Sequence, residues 1–378
     1  MAVTILEGFS TMEDPRIDRK KLYPLIEIIF LTIAAVISGA DHFTEIQMFG
    51  EANLAWLRKY LRFANGIPSH DAIGYFFSRL DPEHFKEKFV EWIKSVATVS
   101  GGEIVAIDGK TLRRSHDSAA NKQAIHMISA WAANAHLVLG QRKVDEKSNE
   151  ITAIPQLLQM LELSGCIVTI DAMGCQKEIA AKIVEKKADY VLAVKGNQGN
   201  LHEQIKSFFE DQIERGFEDY REKPEALGCY ETIEHDHGRV DVRKYWIASD
   251  IGWLEEKKGW KGLSAIGCAQ LTSTIGEKTT CDERYYIVSS AMQAGRFAEA
   301  VRGHWGIENS LHWSLDVSFR EDESRIRNGS TPDNFAVIRH ICMNLLKQET
   351  SLKRGIKGKR YRSVMDSDYR ERVLFAGF

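Results

Sequence analysis

Two short stretches limit what this chain can become. In residues 104–115, IVAIDGKTLRRS, four apolar residues run into Asp108, then a glycine, then Lys110, Arg113 and Arg114. In residues 166–176, CIVTIDAMGCQ, a second apolar run ends on Asp171. Short runs rich in β-branched residues read as buried strands. A lone carboxylate beside such a run is costly unless it is hydrogen-bonded, paired or on a metal. Either aspartate taken alone reads equally well as a cap on the turn that follows.

The chain between and after the two stretches gives them a context. Residues 124–132 and 136–144 predict a hairpin, and residues 151–163 an amphipathic helix with Ile154, Leu157, Leu158 and Leu161 on one face. A helix is expected over 176–187 and a strand over 190–194, stopping at the turn-forming KGNQGN. If the first and fourth strands lie side by side, both aspartates stand at strand carboxyl ends, where ligands bind in such sheets. Two acids held that close require a shared proton or a cation. All-oxygen ligation suits magnesium, and two such ions about 3.5–4 Å apart can hold both oxygens of a phosphoryl transfer. A third carboxylate should come from the helical pattern that begins at Arg296. There His304, Glu308 and His312 fall at four-residue spacing, hence on one helix face, although Glu308 alone also reads as a solvated helix residue.

A chain of 378 residues should hold two or three domains. Residues 1–100 read as helical, with Ser69 and Asp81 as N-caps, Pro82 at a first helical position, and a helix–turn–helix or a plain bundle both open. The apolar run 28–40 is 13 residues long, a buried helix and too short for the roughly 20 residues of a membrane span. Residues 201–290 turn polar and then strand-like, as a β-rich insertion would. The net charge of -3 does not argue for nucleic acid, but cations cluster at 16–21 and again at 353–362. The six cysteines show no paired spacing and read as reduced thiols, and nothing at the start resembles a signal peptide. Cys229, His235 and His237 lack a fourth ligand for zinc.

AIDGKTLRRS, TIDAMGCQ, DYVLAVKGNQ and RGHWGIENSLHWSLDVSFREDESRIRNG together resemble the DDE transposases of bacterial insertion sequences, specifically the H-repeat-associated proteins. The resemblance extends over nearly the whole chain. It implies an α/β fold, with a ribonuclease-H-like catalytic core at 101–200 and 293–378, interrupted by a β-rich insertion at 201–292 and preceded by an N-terminal helical domain at 1–100 that is a candidate for DNA binding. It also implies an acidic triad at Asp108, Asp171 and Glu308 that binds Mg2+ or Mn2+ and performs DNA strand cleavage and joining. Related enzymes carry Tyr, Arg and Lys around the glutamate, where this chain has Val301, His304 and Leu315. Arg302, His304 and His312 are then the substitutes for gripping DNA on that helix.

Further phosphate contacts are expected at Lys110, Arg113 and Arg114, and at Lys195 beside Asn197 and Gln198, though a solvated loop explains each of them as well. The basic tail adds Lys353, Arg354, Lys357, Lys359, Arg360 and Arg362. The implied partner is double-stranded DNA, element ends and target, with a possible homodimer in the synaptic complex, no membrane, and a cytoplasmic, nucleoid-associated location. Two rivals stand: a nuclease of the same fold that cuts without joining, and a catalytically silent DNA-binding relic, against which the intact acidic residues argue.

Overall fold

The structure is a computed structural model that describes residues 5–96, 101–112, 124–144, 149–236 and 238–375. Its chain passes between two units. One comprises Met1–Val99, Gly109–Ser148 and Glu308–Phe378, and the other Ser100–Asp108 and Asn149–Ile307. Segments far apart in sequence therefore share a unit.

The first unit is mainly helical. It holds α1 (Ile5–Phe9), α2 (Leu25–Ile37), α3 (Phe43–Leu57), α4 (His70–Arg79) and α5 (Pro82–Val96), the end of strand β1 (Ile104–Leu112), and the hairpin of β2 (Ile125–Ala132) and β3 (Leu137–Val144). Ser69 Oγ accepts the Ala72 N–H at the start of α4, and Asp81 Oδ1 accepts the Glu83 N–H at 2.9 Å before α5, as their sequence positions imply. The apolar run forms α2, every residue of which but Ile26 is buried. Its partner is a helix the sequence reading did not single out, α11 (Thr331–Gln348), buried from Thr331 to Leu346. The signal for α11 is weak because its buried face includes Asn334, Arg339, His340 and Asn344. These polar groups have partners. Asn334 Nδ2 donates to the Phe77 and Leu80 carbonyls at the end of α4, both at 2.9 Å. Asn344 accepts the Val138 N–H at 2.8 Å and donates to its carbonyl at 2.9 Å, which satisfies backbone of β3 that the β2 ladder leaves over.

A basic tail is expected at the C-terminus, but the structure folds it into the helical unit. Between α10 (Trp313–Phe319) and α11 lies a short 3-10 turn, Glu321–Glu323, and after α11 come α12 (Ile356–Met365) and α13 (Ser367–Phe375). Lys359 is buried and donates to the carbonyls of Leu346, at 2.8 Å, and Glu349. Arg360, also buried, donates to Val36 and Ala40 at 2.9 and 3.2 Å, to the Ser318 carbonyl, and to Asp41 at 2.8 Å. These cations close the carbonyl ends of α2, α10 and α11, where a helix leaves acceptors unmatched and favours positive charge. At the other basic cluster Arg16 is buried as well, bonded to Asp14 at 2.6 Å and to the Tyr23 carbonyl.

The second unit is built on a sheet. After the first part of β1 come α6 (Glu150–Met160), β4 (Ile167–Ile170), α7 (Lys177–Glu185), β5 (Asp189–Val194) and α8 (Gly199–Glu214). The long strands β6 (Leu227–Asp236), β7 (Arg239–Ala248), β8 (Ala265–Ile275) and β9 (Lys278–Val288) follow, then α9 (Ala294–Gly306). The strand order is β1-β4-β5-β9-β8-β7-β6, with β1, β4 and β5 parallel and the rest antiparallel. The β-rich segment expected at 201–292 opens with α8 and then supplies β6 to β9, and β9 pairs with β5, Val191 opposite Val288, so the inserted strands continue the core sheet. Helix α9 packs on strands from β4 to β6. Its Phe297 seats on β8 at Gly267, where a Cβ would lie 2.4 Å from the ring.

The capping role of the tail cations predicts a split between neighbours. Arg360→Leu should lower the unfolding free energy by about 3–5 kcal/mol, since it strands half-buried Asp41 and several carbonyls. The exposed Lys353→Ala should change it by less than about 0.5 kcal/mol. Urea midpoints of both variants, at unchanged slope, measure the difference.

Candidate functional site

Residues 104–107 of β1 pair in parallel with 167–170 of β4, Ile107 opposite Ile170. The next residue on each strand is the aspartate. Asp108 and Asp171 thus leave matched positions on neighbouring strands, whose spacing is about 4.8 Å. The fourfold apolar runs end there because both faces of the sheet are covered up to that point and not beyond it: Ile107 and Ile170 are buried, Asp108 and Asp171 half-buried.

The turn after Asp171 is closely specified. Asp171 Oδ1 accepts the N–H groups of Met173 at 3.1 Å and Gly174 at 3.2 Å, folding its own backbone into an Asx turn. Residue 174 must be glycine, because a Cβ there would sit 2.3 Å from Cγ2 of Ile170. Asn197 donates to the Ala172 carbonyl at 2.7 Å and Gln198 to that of Cys175 at 2.9 Å, so these amides of the KGNQGN turn brace the aspartate loop. Lys195 beside them is exposed. Burial pushes the Asp171 carboxyl above its usual range, as does Glu150, against the two N–H bonds and Lys195. A half-buried acid that remains this short of positive charge, beside a second aspartate, is a fitting ligand for a hard cation, and both donors are oxygen. Among the described residues no group of three or more His, Cys, Asp or Glu side chains converges as a metal site, and this holds for Cys229 and His235 too; His237 lies outside the described residues.

Helix α9 carries the next expected residues. His304 is expected at DNA, but its Nδ1 lies 3.2 Å from Oγ1 of Thr169, two residues before Asp171 on β4. Burial of the ring pushes its pKa down to about 4, so it is neutral at physiological pH. Arg302 is half-exposed and paired with Glu234 at 2.6 Å, and Trp305 lies under the Arg284 guanidinium, 4.3 Å from ring centre to charge. Past α9 the chain enters a π-helical turn, Ile307–His312, with Glu308 exposed near its start. Hydrogen bonds in such a turn reach five residues instead of four. The single face expected for His304, Glu308 and His312 is therefore broken between the last two, and His312 is half-buried.

In the helical unit the end of β1 presents Lys110, also expected at a phosphate. It instead forms ion pairs with Asp316 of α10 and, at 2.9 Å, with Glu321. Glu321 is buried and also meets Arg339 at 3.5 Å. Burial alone would raise the Glu321 carboxyl, but Lys110, Arg339 and His340 hold it down at about 2. Burial pushes His340 down to about 4 despite Glu321, and raises Asp316 despite Lys110. Arginines flank Glu321 in the sequence, but its partners in space are Lys110 and Arg339. Arg113 and Arg114 lie outside the described residues. Of the tail cations, Lys353, Arg354, Lys357 and Arg362 are exposed, Arg362 in a pair with Asp366 at 2.7 Å.

Comparison with known proteins follows the same lines. Residues 99–345 match the family model described as "Transposase DDE domain", and residues 6–93 match the one described as "DDE_Tnp_1-associated". The chain is 43% identical over 377 residues to "Putative transposase YncI" of Escherichia coli O157:H7, covering 98% of this chain and 94% of that protein. It is 42% identical over 376 residues to "H repeat-associated putative transposase YhhI" of Escherichia coli (strain K12), covering 98% and 97%. Among solved structures, "Cryo-EM structure of piggyBac transposase synaptic complex with hairpin DNA (SNHP)" superposes with a TM-score of 0.43 at 12% identity, over 97% of this chain and 77% of that one, a likeness too slight to carry an argument.

The His304 environment has a testable pH signature. Its folded pKa of about 4 lies below the ordinary 6.5, so the unfolded chain takes up the proton first as pH falls. The stability contributed by the neutral ring is fully present above about pH 6.5, declines between 6.5 and 4, and is gone below. Ring NMR signals should titrate near pH 4, and His304→Gln should remove this part of the acid loss in urea midpoints.

Proposed function

The chain belongs to the DDE transposase family, with the mixed α/β, ribonuclease-H-like core of that family, and on that premise we propose that it cuts and joins DNA strands at the ends of an insertion element. The observation that carries the reading is the pair of aspartates released at matched positions of β1 and β4. Glu308, one turn past His304 and so past the contact of α9 with β4, is the third acid of the reading. Divalent magnesium or manganese held by Asp108, Asp171 and Glu308 would supply charge stabilisation at the scissile phosphate. Water displaces the 3′-oxygen of one strand, and the freed 3′-hydroxyl then displaces an oxygen of a target phosphodiester in line.

The chain's own residues orient these acids. The Met173 and Gly174 N–H groups fix one oxygen of Asp171. Neutral His304 bonds Thr169 and ties the end of α9 to the strand that carries Asp171. DNA affinity is assigned to the exposed cations Lys195, Lys353, Arg354 and Lys357, with Arg302, Arg362 and His312 as further contacts. Two copies of the chain would bring two element ends together.

Glu308→Gln is expected to eliminate strand cleavage with folding intact, and Asp108→Asn to abolish it at nearly unchanged DNA affinity, whereas Asp316→Asn retains measurable cleavage. A gel assay on duplexes carrying the inverted repeats that flank the gene reads this, since joining, cutting alone and binding alone give different products. Full activity of Asp108→Asn, or activity in excess chelator, would sink the proposal. Replacing Lys353, Arg354 and Lys357 by Ala should flatten the salt dependence of DNA binding by about 2–3 in log–log slope, and an unchanged slope would make them solvated surface.

A further inference from the structure

We propose that Lys110 is a positioning residue for this reaction, holding the end of β1 through Asp316 and Glu321. The inference rests on the DDE reading above. Lys110 follows Asp108 by two residues in the same strand, so both side chains leave β1 on one face. Its ammonium is nearly enclosed, the side chain 11% exposed, and lies between the carboxylates of Asp316 and Glu321. Glu321 is 3% exposed and shared with the equally buried Arg339. Two cations and two anions form one neutral cluster, beside a His340 that burial keeps uncharged.

An ammonium so placed cannot turn to a phosphate without leaving a buried carboxylate uncompensated. What the cluster does instead follows from where its members sit in the chain. Lys110 lies just past Asp108, and Asp316 and Glu321 lie in the segment that follows Glu308. The ion pairs therefore join the chain beyond one proposed metal ligand to the chain beyond another. Groups that orient metal ligands in this indirect way alter activity or metal affinity about 10–100-fold when removed.

Lys110→Met and Lys110→Arg, each shown folded by circular dichroism, test this beside Asp108→Asn on the full chain. Lys110→Met is expected to lower kcat about 10–100-fold while KM and the salt slope of duplex binding stay at wild-type values, and Lys110→Arg, able to pair with both carboxylates, to recover part of the rate. Mn2+ affinity, followed by water proton relaxation, should fall about tenfold in Lys110→Met, a readout that does not require turnover. A salt slope flattened by about one unit would make Lys110 a phosphate contact and overturn the proposal. So would wild-type kcat and Mn2+ affinity in Lys110→Met. Should Lys110→Met not fold, kcat and Mn2+ affinity in the folded Lys110→Arg that are partly lowered would support the ion-pair account, and either wild-type values or a loss there as large as that of Asp108→Asn would overturn it. Failure of the DDE reading looks different: Asp108→Asn would then cleave and bind Mn2+ as the wild type does.

Discussion

The parallel ladder between residues 104–107 and 167–170 is the interaction on which the sheet unit's chemistry depends. Side chains along a strand alternate, so a slip of one residue would reverse the face of every residue on β4. The slip is opposed by complete burial: Val105, Ala106, Ile107, Val168 and Ile170 are all in the core. Hydrophobic burial, about 25 cal/mol per Å2 and without direction of its own, thereby acquires direction through the ladder and delivers two carboxylates to the same end of the sheet.

Electrostatics then separates the acids of this chain by environment. Glu321 is deeply buried yet ionised, because Lys110 and Arg339 compensate it. Asp171 is less buried but its carboxyl is raised, because burial and the nearby Glu150 outweigh two backbone N–H bonds and the exposed Lys195. A carboxylate matched by fixed cations has little to gain from a metal, whereas one that lacks them does. By this criterion Asp171 suits the proposed ligand role and Glu321 a structural one, a distinction that residue type cannot give.

Much of this was legible from the sequence, and the failures share a cause. Strand ends such as Asp108 and Asp171, and caps such as Ser69 and Asp81, are local features, readable from neighbours in the chain. The strand-like character of 201–290 was readable too, but that its strands continue the core sheet depended on β9 meeting β5, a pairing across about ninety residues. The basic residues misled most. Lys359 and Arg360 look like a DNA-binding tail because their acceptors, the carbonyls of helices far away in sequence, carry no sequence signature. Helix α11 was obscured for a related reason, since the asparagines that serve β3 and α4 break its apolar pattern. The π turn after Ile307 is likewise invisible to four-residue spacing.

The Arg360 bonds to Val36, Ala40 and Asp41 bear on how the chain is made. Helix α2, the most apolar segment, is made more than three hundred residues before the arginine that closes its carbonyl end. Domains tend to fold as units during synthesis, but this unit joins segments that far apart and cannot be finished until residue 360 has been made. A copy truncated by a nonsense codon before residue 360 would leave the α2 carbonyls without their cap, and α11 would be missing too if the stop came before 331. Decayed copies of such a gene would then yield chains that proteases remove, instead of folded competitors that occupy DNA without acting on it.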